Sequence, residues 1–461
     1  MMKPNRREAL AGIAAGSASL IWPGAAKAQT CFDGEYGGVL DLGGAKLRLR
    51  LVIAANTATL YSLDQGNNPI PASKVERKDG ALLLEFDVIK ARFDLRLEGS
   101  VLSGMFDQGR AIPVRLERGV IPVNPKDISG LLDGAMNQTK LDQIRERLGT
   151  PGMAVGWQRG SGHTVGLHSG LRAAGHPEPL RQGDLWHVGS ITKSFTATLF
   201  ARAVQAGAIR WDTTLGALLP DTPEHYRSLT AIELLSHHAG LPANMPIGDL
   251  LALPRTELDP RSSRRRYAKS ALAQKPVSKP QSRFAYSNVG FVLAAIMLEN
   301  VTGKSWEQLV MREVLRPLGL KSAGFGPPGS AKTVDQPRGH ASGAPVFLDN
   351  PVAMAPAGGL HLSVPDLLKY LAAHRDKPKF LGAALWKELH TERFGSSYAL
   401  GWFVGKDGGL WHNGSNTAWY AEVRVEPVSA LIAASCNNDT ELVGQPRVLF
   451  PPIRRAAGVT A

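Results

Sequence analysis

The sequence predicts an α+β protein preceded by a small all-β domain, and three observations carry that reading. Apolar and polar residues alternate with period two through much of residues 31–119. Helical periodicity and proline-rich loops dominate from the 190s to about residue 345. Strand-like runs return from Tyr398 onward, joined by short turns.

Composition sets the frame. A chain of 461 residues is long enough for two domains and a large core, and 43% hydrophobic with 20% charged residues is ordinary for a globular protein. The formal net charge is +13. Lys3, Arg6, Arg7 and Lys27 against Glu8 account for +3 of it, so +10 remains on the rest. One dense basic run stands out, Arg261, Arg264, Arg265, Arg266 and Lys269. It holds one aromatic, Tyr267, and no nucleic-acid module accompanies it, so a solvated loop is expected and no nucleic-acid partner. Contact with an anionic envelope polymer or lipid is the alternative for that run. The two cysteines, Cys31 and Cys436, form no disulfide framework, although a bridge between them in an oxidising compartment stays open. Cys436 ends the apolar run Leu431 to Ser435 and reads as a small core residue. No His-Glu-x-x-His or cysteine–histidine cluster suggests a metal, and no cofactor is expected.

Taken in order, residues 1–28 read as an export signal. Arg6-Arg7 precede a moderately apolar run, Ala9 to Trp22, and Ala26-Lys27-Ala28 has the small-x-small form of a cleavage site. The paired arginines suggest the twin-arginine route and a periplasmic or secreted enzyme. The run is short and rich in glycine and serine, and no transmembrane segment is expected in the mature chain. Residues 31–119 alternate as half-buried strands, Lys46 to Leu51 and Ala91 to Leu97 most clearly, with turns at 64–68, 79–80 and 107–109. They suggest a small β-barrel or curled sheet whose role, substrate binding, surface contact or capping, is left open. Residues 120–128, with Pro122 and Pro125, form the expected linker, and 129–461 a second domain.

That second domain opens with a helix near Leu141 to Leu148 and two strands, Met153 to Gln158 and Thr164 to His168. Helices are expected at Thr230 to Leu235, Gly290 to Glu299 and Ser305 to Val314. Strands are expected at Tyr398 to Val404, Gly409 to His412, Ala418 to Val425 and Ala430 to Ala434. A weak closing helix, Leu442 to Ala457, is interrupted by Pro451-Pro452.

The chemistry is concentrated in Gly189-Ser190-Ile191-Thr192-Lys193, at the start of a helical pattern. Positions i and i+3 share a helix face, so the Lys193 amine reaches the Ser190 hydroxyl. A serine hydroxyl becomes a strong nucleophile only when a base takes its proton. Keeping lysine neutral near pH 7.4 against a reference pKa of ~10.4 costs about 4 kcal/mol, which burial has to supply. A serine N-cap followed by a surface lysine is the competing reading. Two further motifs follow in order: Tyr286-Ser287-Asn288, the only Y-x-N, and His412-Asn413-Gly414 between strand-like runs. His168, His187 and His238 also satisfy H-x-G, so the order and strand context carry the weight. No G-x-S-x-G occurs, which argues against an α/β-hydrolase elbow.

This order resembles the serine β-lactamase and penicillin-binding protein superfamily, on its class C β-lactamase, esterase and D-aminopeptidase branch. Leu234 to Leu241, Pro356-Ala357-Gly358-Gly359-Leu360 and Asp366-Leu367-Leu368 resemble it as well, and the likeness covers roughly residues 130 to 460. It implies an all-helical lobe inserted into an α/β lobe with an antiparallel sheet, and a site between the lobes. It implies that Ser190 is acylated, Lys193 takes its proton, and Tyr286 relays the proton and helps activate the deacylating water. Whether Lys193 or Tyr286 is the deacylation base stays open. Asn288 would hold the substrate's acyl amide or Lys193, and the N–H groups of Ser190 and Ser415, beside Gly414, would form the oxyanion hole. His412 departs from the lysine usual in penicillin-directed members. A mostly neutral imidazole does not demand an anionic substrate, which moves the expectation toward small esters or D-amino acid amides and peptides. A β-lactamase or DD-carboxypeptidase is the alternative, and a vestigial envelope-binding protein the alternative from another class. His237 and His238 read as helix-end packing residues, and Trp186, Trp411 and Trp419 as either pocket lining or core. Oligomeric state is not legible.

Overall fold

A computed structural model of the protein describes residues 32–41, 46–63, 69–78, 80–120, 126–256 and 259–459. The export signal, Cys31 and residues 121–125 of the linker lie outside the described residues. The chain divides in the main into two compact units, an N-terminal one ending at Val120 and a larger one from Ile121 onward.

The N-terminal unit is a nine-stranded antiparallel meander in which the first strand, Gly34–Asp41, pairs with the ninth, Ala111–Arg118. The short fourth strand, Pro69–Pro71, and the fifth, Lys74–Lys78, are its two edges. Period-two alternation sends one face inward: Leu82, Leu84 and Phe86 are buried beside Ala91, Phe93 and Leu95 of the neighbouring strand. Phe93 also packs edge-on to Phe106, with ring centroids 4.9 Å apart. Gly104 lets the curled sheet close up, since a Cβ there would lie 1.9 Å from the Asp94 carbonyl oxygen.

The larger unit is built on a six-stranded antiparallel sheet. In spatial order its strands are Val165–Gly170, Gly152–Arg159, Leu431–Asn437, Tyr420–Glu426, Leu410–Ser415 and Phe403–Val404. The central strands are apolar on both faces because helices cover both. Met153, Val155 and Trp157 join Leu141, Ile144 and Leu148 of helix Gln138–Leu148 on one side, with Ile453 of helix Phe450–Ala456. Ala154, Ile432, Ala434 and Cys436 face the other core, with Phe195 of helix Thr192–Gln205 and Leu367 of helix Val364–Asp376. Cys436 is accordingly a buried core thiol.

The helical lobe gathers around Asn288–Thr302, whose residues Val289 to Glu299 are all buried. A helix apolar on every side belongs in the middle of a lobe. Gly290 lets it approach the Ala231–Leu235 helix closely, because a Cβ there would sit 2.5 Å from the Leu234 carbonyl oxygen.

Three expectations are corrected. The basic run is not a solvated loop: it lies on helix Pro260–Leu272, started by the Asp259 cap and Pro260. Arg264 is fully buried and forks between Glu299 (2.5 Å) and Glu307 (2.8 Å). The expected strand Tyr398 to Val404 shrinks to Phe403–Val404. Gly401, at φ 75°, reverses the chain there, and a Cβ on it would come within 2.8 Å of the Lys193 carbonyl oxygen. Pro451-Pro452 do not interrupt the last helix; they occupy its first turn, where a missing N–H costs nothing, and the helix runs Phe450–Ala456. Among the described residues no helix is long and apolar enough to cross a membrane.

Arg264→Ala strands two carboxylates, one of them fully buried, and is expected to lower the unfolding free energy by about 3–5 kcal/mol. The exposed neighbour substitution Arg265→Ala is expected to change it by about 0.5 kcal/mol or less. Urea unfolding of the two variants checks the contrast.

Candidate active site

Strand Leu185–His187 runs into a single 3₁₀ turn, Gly189–Ile191, and then into helix Thr192–Gln205. Ser190 sits on the turn and Lys193 on the first turn of the helix, its side chain wholly buried. Lys193 Nζ lies 3.0 Å from Ser190 Oγ and donates to Asn288 Oδ1 and the Ala357 carbonyl, both at 2.8 Å. No carboxylate is among these partners. Burial therefore pushes the amine well below the ordinary lysine range. A neutral amine has two hydrogens and one lone pair. The two carbonyl acceptors take the hydrogens, which leaves the lone pair for the Ser190 hydroxyl proton.

Asn288 is the first residue of its helix, and the amide is oriented from behind, with Nδ2 donating to Asn244 Oδ1 at 2.9 Å. Tyr286 is half-buried beside the Ser190 side chain. Burial raises the phenol above its ordinary value, more than the nearby Ser190 side chain lowers it, so it stays protonated. Lys193 Nζ lies 4.8 Å from the Tyr286 ring centroid. His237 is more than helix-end packing: its ring lies 4.2 Å from Tyr286, and its Nδ1 accepts the Ser287 N–H at 3.0 Å. His238 packs on Phe394 and bonds back to the Ser236 carbonyl, as a helix-end residue does.

His412 is placed behind this group. Its Nδ1 bonds the Asn413 carbonyl at 2.6 Å, so Nε2 is free to accept from the Tyr398 hydroxyl at 3.0 Å. Burial, with Lys193 nearby, pushes the imidazole down to about 3. The ring is neutral, buried and occupied at both nitrogens by the protein itself. Gly414 and Ser415 lie against the nucleophile turn. A Cβ on Gly414 would be 2.5 Å from Ser190 N, and one on Gly189 would be 2.5 Å from Ser415 N. Two bare backbones therefore meet beside Ser190, which is why glycine is needed on both segments. The cleft is lined by Asn244, Asn288, Asp349, Met354, Ser415 and Asn416, among others.

Sequence reasoning missed Tyr398, Asn244, the Ala357 carbonyl, and the pair His187 and Asp349. Asp349 is ionised: burial would raise its carboxyl, but His187 and neighbouring N–H donors hold it below the usual range. His187 was visible only as one of the spare H-x-G matches. Trp186 and Trp419 pack on each other in the core, and Trp411 stacks on Phe403; none lines the cleft. No group of three or more His, Cys, Asp or Glu residues suited to a metal occurs among the described residues.

A helical lobe on an antiparallel sheet, with Ser190, Lys193, Tyr286 and Asn288 converging between them, defines a class of protein. The sequence profile of the Beta-lactamase family matches residues 138–447, and the chain belongs to that family. Penicillin-binding protein 4 of Amycolatopsis lactamdurans is 25% identical over 346 residues, 66% of this chain and 85% of that protein. The D-alanyl-D-alanine-carboxypeptidase/endopeptidase AmpH of Escherichia coli K12 is 25% identical over 235 residues, 50% of this chain and 59% of AmpH. The match thus spans less than two thirds of that relative's length. Among solved structures, the D-amino acid amidase from Ochrobactrum anthropi SV3 complexed with D-phenylalanine aligns at TM-score 0.58 and 21% identity, covering 71% of this chain and 98% of that one. The class C beta lactamase from Rhodobacter sphaeroides aligns at 0.55 and 20%, covering 69% and 96%. These two likenesses are of fold.

With ¹³C-lysine labelling, the Lys193 Cε resonance, assigned by its loss in Lys193→Arg, is expected to titrate well below the other lysines. Titration alongside them near pH ~10.4 would mean that the amine is charged at neutral pH.

Proposed function

We propose that the protein is a serine hydrolase working through an acyl-enzyme on Ser190, and that its substrates are small carboxyl esters or D-amino acid amides and peptides. The observation that carries this is the placement of the buried Lys193 amine between the Ser190 hydroxyl and two carbonyl acceptors. In this reading Lys193 takes the Ser190 proton as Oγ attacks the acyl carbon. Tyr286, whose phenol lies beside the Ser190 side chain and whose ring centroid is 4.8 Å from Lys193 Nζ, relays the proton to the leaving group and later helps activate the deacylating water. Asn288 holds Lys193. The Ser190 and Ser415 N–H groups receive the negative charge on the carbonyl oxygen, and such a donor is worth about 3–4 kcal/mol.

The neutral, internally bonded His412 supports substrates without an anion at that point. The amidase name of one structural neighbour is consistent with amide turnover. A second reading, a DD-carboxypeptidase or β-lactamase, is favoured by the relatives, a penicillin-binding protein and a D-alanyl-D-alanine-carboxypeptidase/endopeptidase. The paired arginines and following apolar run support export, and the N-terminal sheet is proposed as an accessory domain whose role, substrate binding, surface contact or capping, is left open.

A panel of nitrophenyl esters, D-alanyl peptides and a chromogenic cephalosporin orders these readings, with ester or D-peptide turnover expected to lead. Cephalosporin turnover far above both would reverse the order. A fluorophosphonate is expected to label the wild type and not Ser190→Ala, and Tyr286→Phe to lose about 10²–10⁴-fold in kcat. Labelling that survives Ser190→Ala would end the acyl-enzyme reading.

A further inference from the structure

We propose that Asp349, acting through His187 and Asn416, is a positioning residue that sets the tilt of both oxyanion-binding backbone segments. The inference rests on the acyl-enzyme reading above. Asp349 lies far in sequence from both segments, and its side chain is only 10% exposed. One of its oxygens, Oδ1, faces three donors. His187 Nε2 is 2.9 Å away, the Asn350 N–H donates at 2.7 Å, and Asn416 Nδ2 donates at 3.2 Å.

Each side of that oxygen leads to a different half of the oxyanion site. The fully buried His187 accepts the Gly189 N–H on Nδ1 at 3.2 Å. Its proton is therefore on Nε2, within ion-pair distance of Asp349 though not aligned for a hydrogen bond, and turning the ring would break the Gly189 bond and that contact. Only the torsions of Gly189 separate this anchor from the Ser190 N–H. On the other side, Asn416 directly follows Ser415, and its Oδ1 accepts the Ala418 N–H at 3.4 Å, closing the turn after the strand.

The anchor is needed because of the glycines. The close approach of Gly189 to Ser415 and of Gly414 to Ser190 fixes how far apart the two backbones lie. It does not fix the rotation of their peptide planes. Gly189, at φ 50°, has no Cβ to resist such rotation. A donor must point at where the oxyanion forms, so a small tilt removes its contribution. A carboxylate suits the post: its charge holds several N–H donors on one oxygen more strongly than a neutral amide does.

The test compares Asp349→Asn, His187→Asn and His187→Gln with the wild type on whichever ester or amide the panel turns over best. Asparagine at 187 can still accept near the Nδ1 position, and glutamine can still donate near Nε2; neither does both. Steady-state kinetics, the rate of fluorophosphonate labelling at Ser190 and thermal midpoints are measured together. Asp349→Asn is expected to lose on the order of 10²-fold in kcat, with KM within about threefold and labelling slowed in parallel. The double variant Asp349→Asn/His187→Gln is expected to lose no more than the weaker single, because both break one chain of contacts. A folded Asp349→Asn enzyme with wild-type kcat would overturn the proposal. A rise in KM alone would do the same, by making Asp349 a substrate contact. Should Asp349→Asn fail to fold, wild-type kcat in both His187 variants would overturn it. A wild type that neither turns over substrate nor labels would instead be a failure of the acyl-enzyme reading, visible before any variant is made.

Discussion

The constraint on which the site depends is the burial of one amine without a counter-charge. Lys193 is enclosed where the helix begins, and the groups it meets are a hydroxyl, an amide oxygen and a backbone carbonyl. A carboxylate at any of these places would hold the proton on the amine. The fold supplies neutral partners from three separate elements: the Ser190 hydroxyl from the turn, and two acceptors, Asn288 at the start of the central lobe helix and the Ala357 carbonyl in the short helix Ala355–Gly358. Asn244 orients Asn288, and the turn at Gly401 presses on the Lys193 backbone. The cost of a neutral lysine, about 4 kcal/mol at pH ~7.4, is thereby met by packing.

The second requirement is contact between bare backbones. The strand Leu410–Ser415 lies near one edge of the sheet and passes the nucleophile turn so closely that a methyl group on either Gly189 or Gly414 would collide. That contact brings the backbones of Ser190 and Ser415 beside each other. Behind it, Tyr398, His412, His237 and Tyr286 form a buried, largely aromatic layer in which both histidines are held below their ordinary pKa. A layer without fixed charge keeps the dielectric around Lys193 low, which supports the same constraint.

How much of this the sequence revealed follows from the range of each interaction. Ser190 and Lys193 were legible because their contact is local, one helical turn long. Tyr286, Asn288 and Gly414 were legible through the order of motifs. The sheet strands could be read because alternation and apolar runs register burial directly. What escaped depends on partners distant in the chain or lacking a side-chain signature. The acceptor at Ala357 is a main-chain carbonyl that any residue would provide. His187 and Asp349 meet only after folding. Arg264 looked like part of a solvated run because its charge was visible and Glu299 and Glu307 were not known to lie opposite it. Tyr398 begins an apolar, aromatic stretch, and the single torsion at Gly401 turned an expected strand into a reversal.

The most direct test of the neutral-amine account is the pH dependence of the second-order rate of fluorophosphonate reaction with Ser190. A base works when unprotonated, so the rate rises with pH through the Lys193 pKa and is flat above it. The account predicts a plateau reached well below the ordinary lysine value of ~10.4, lost in Lys193→Arg, which keeps the charge and cannot shed it. A wild-type rate that climbs until the ordinary lysine range, or a plateau that survives in Lys193→Arg, would contradict it.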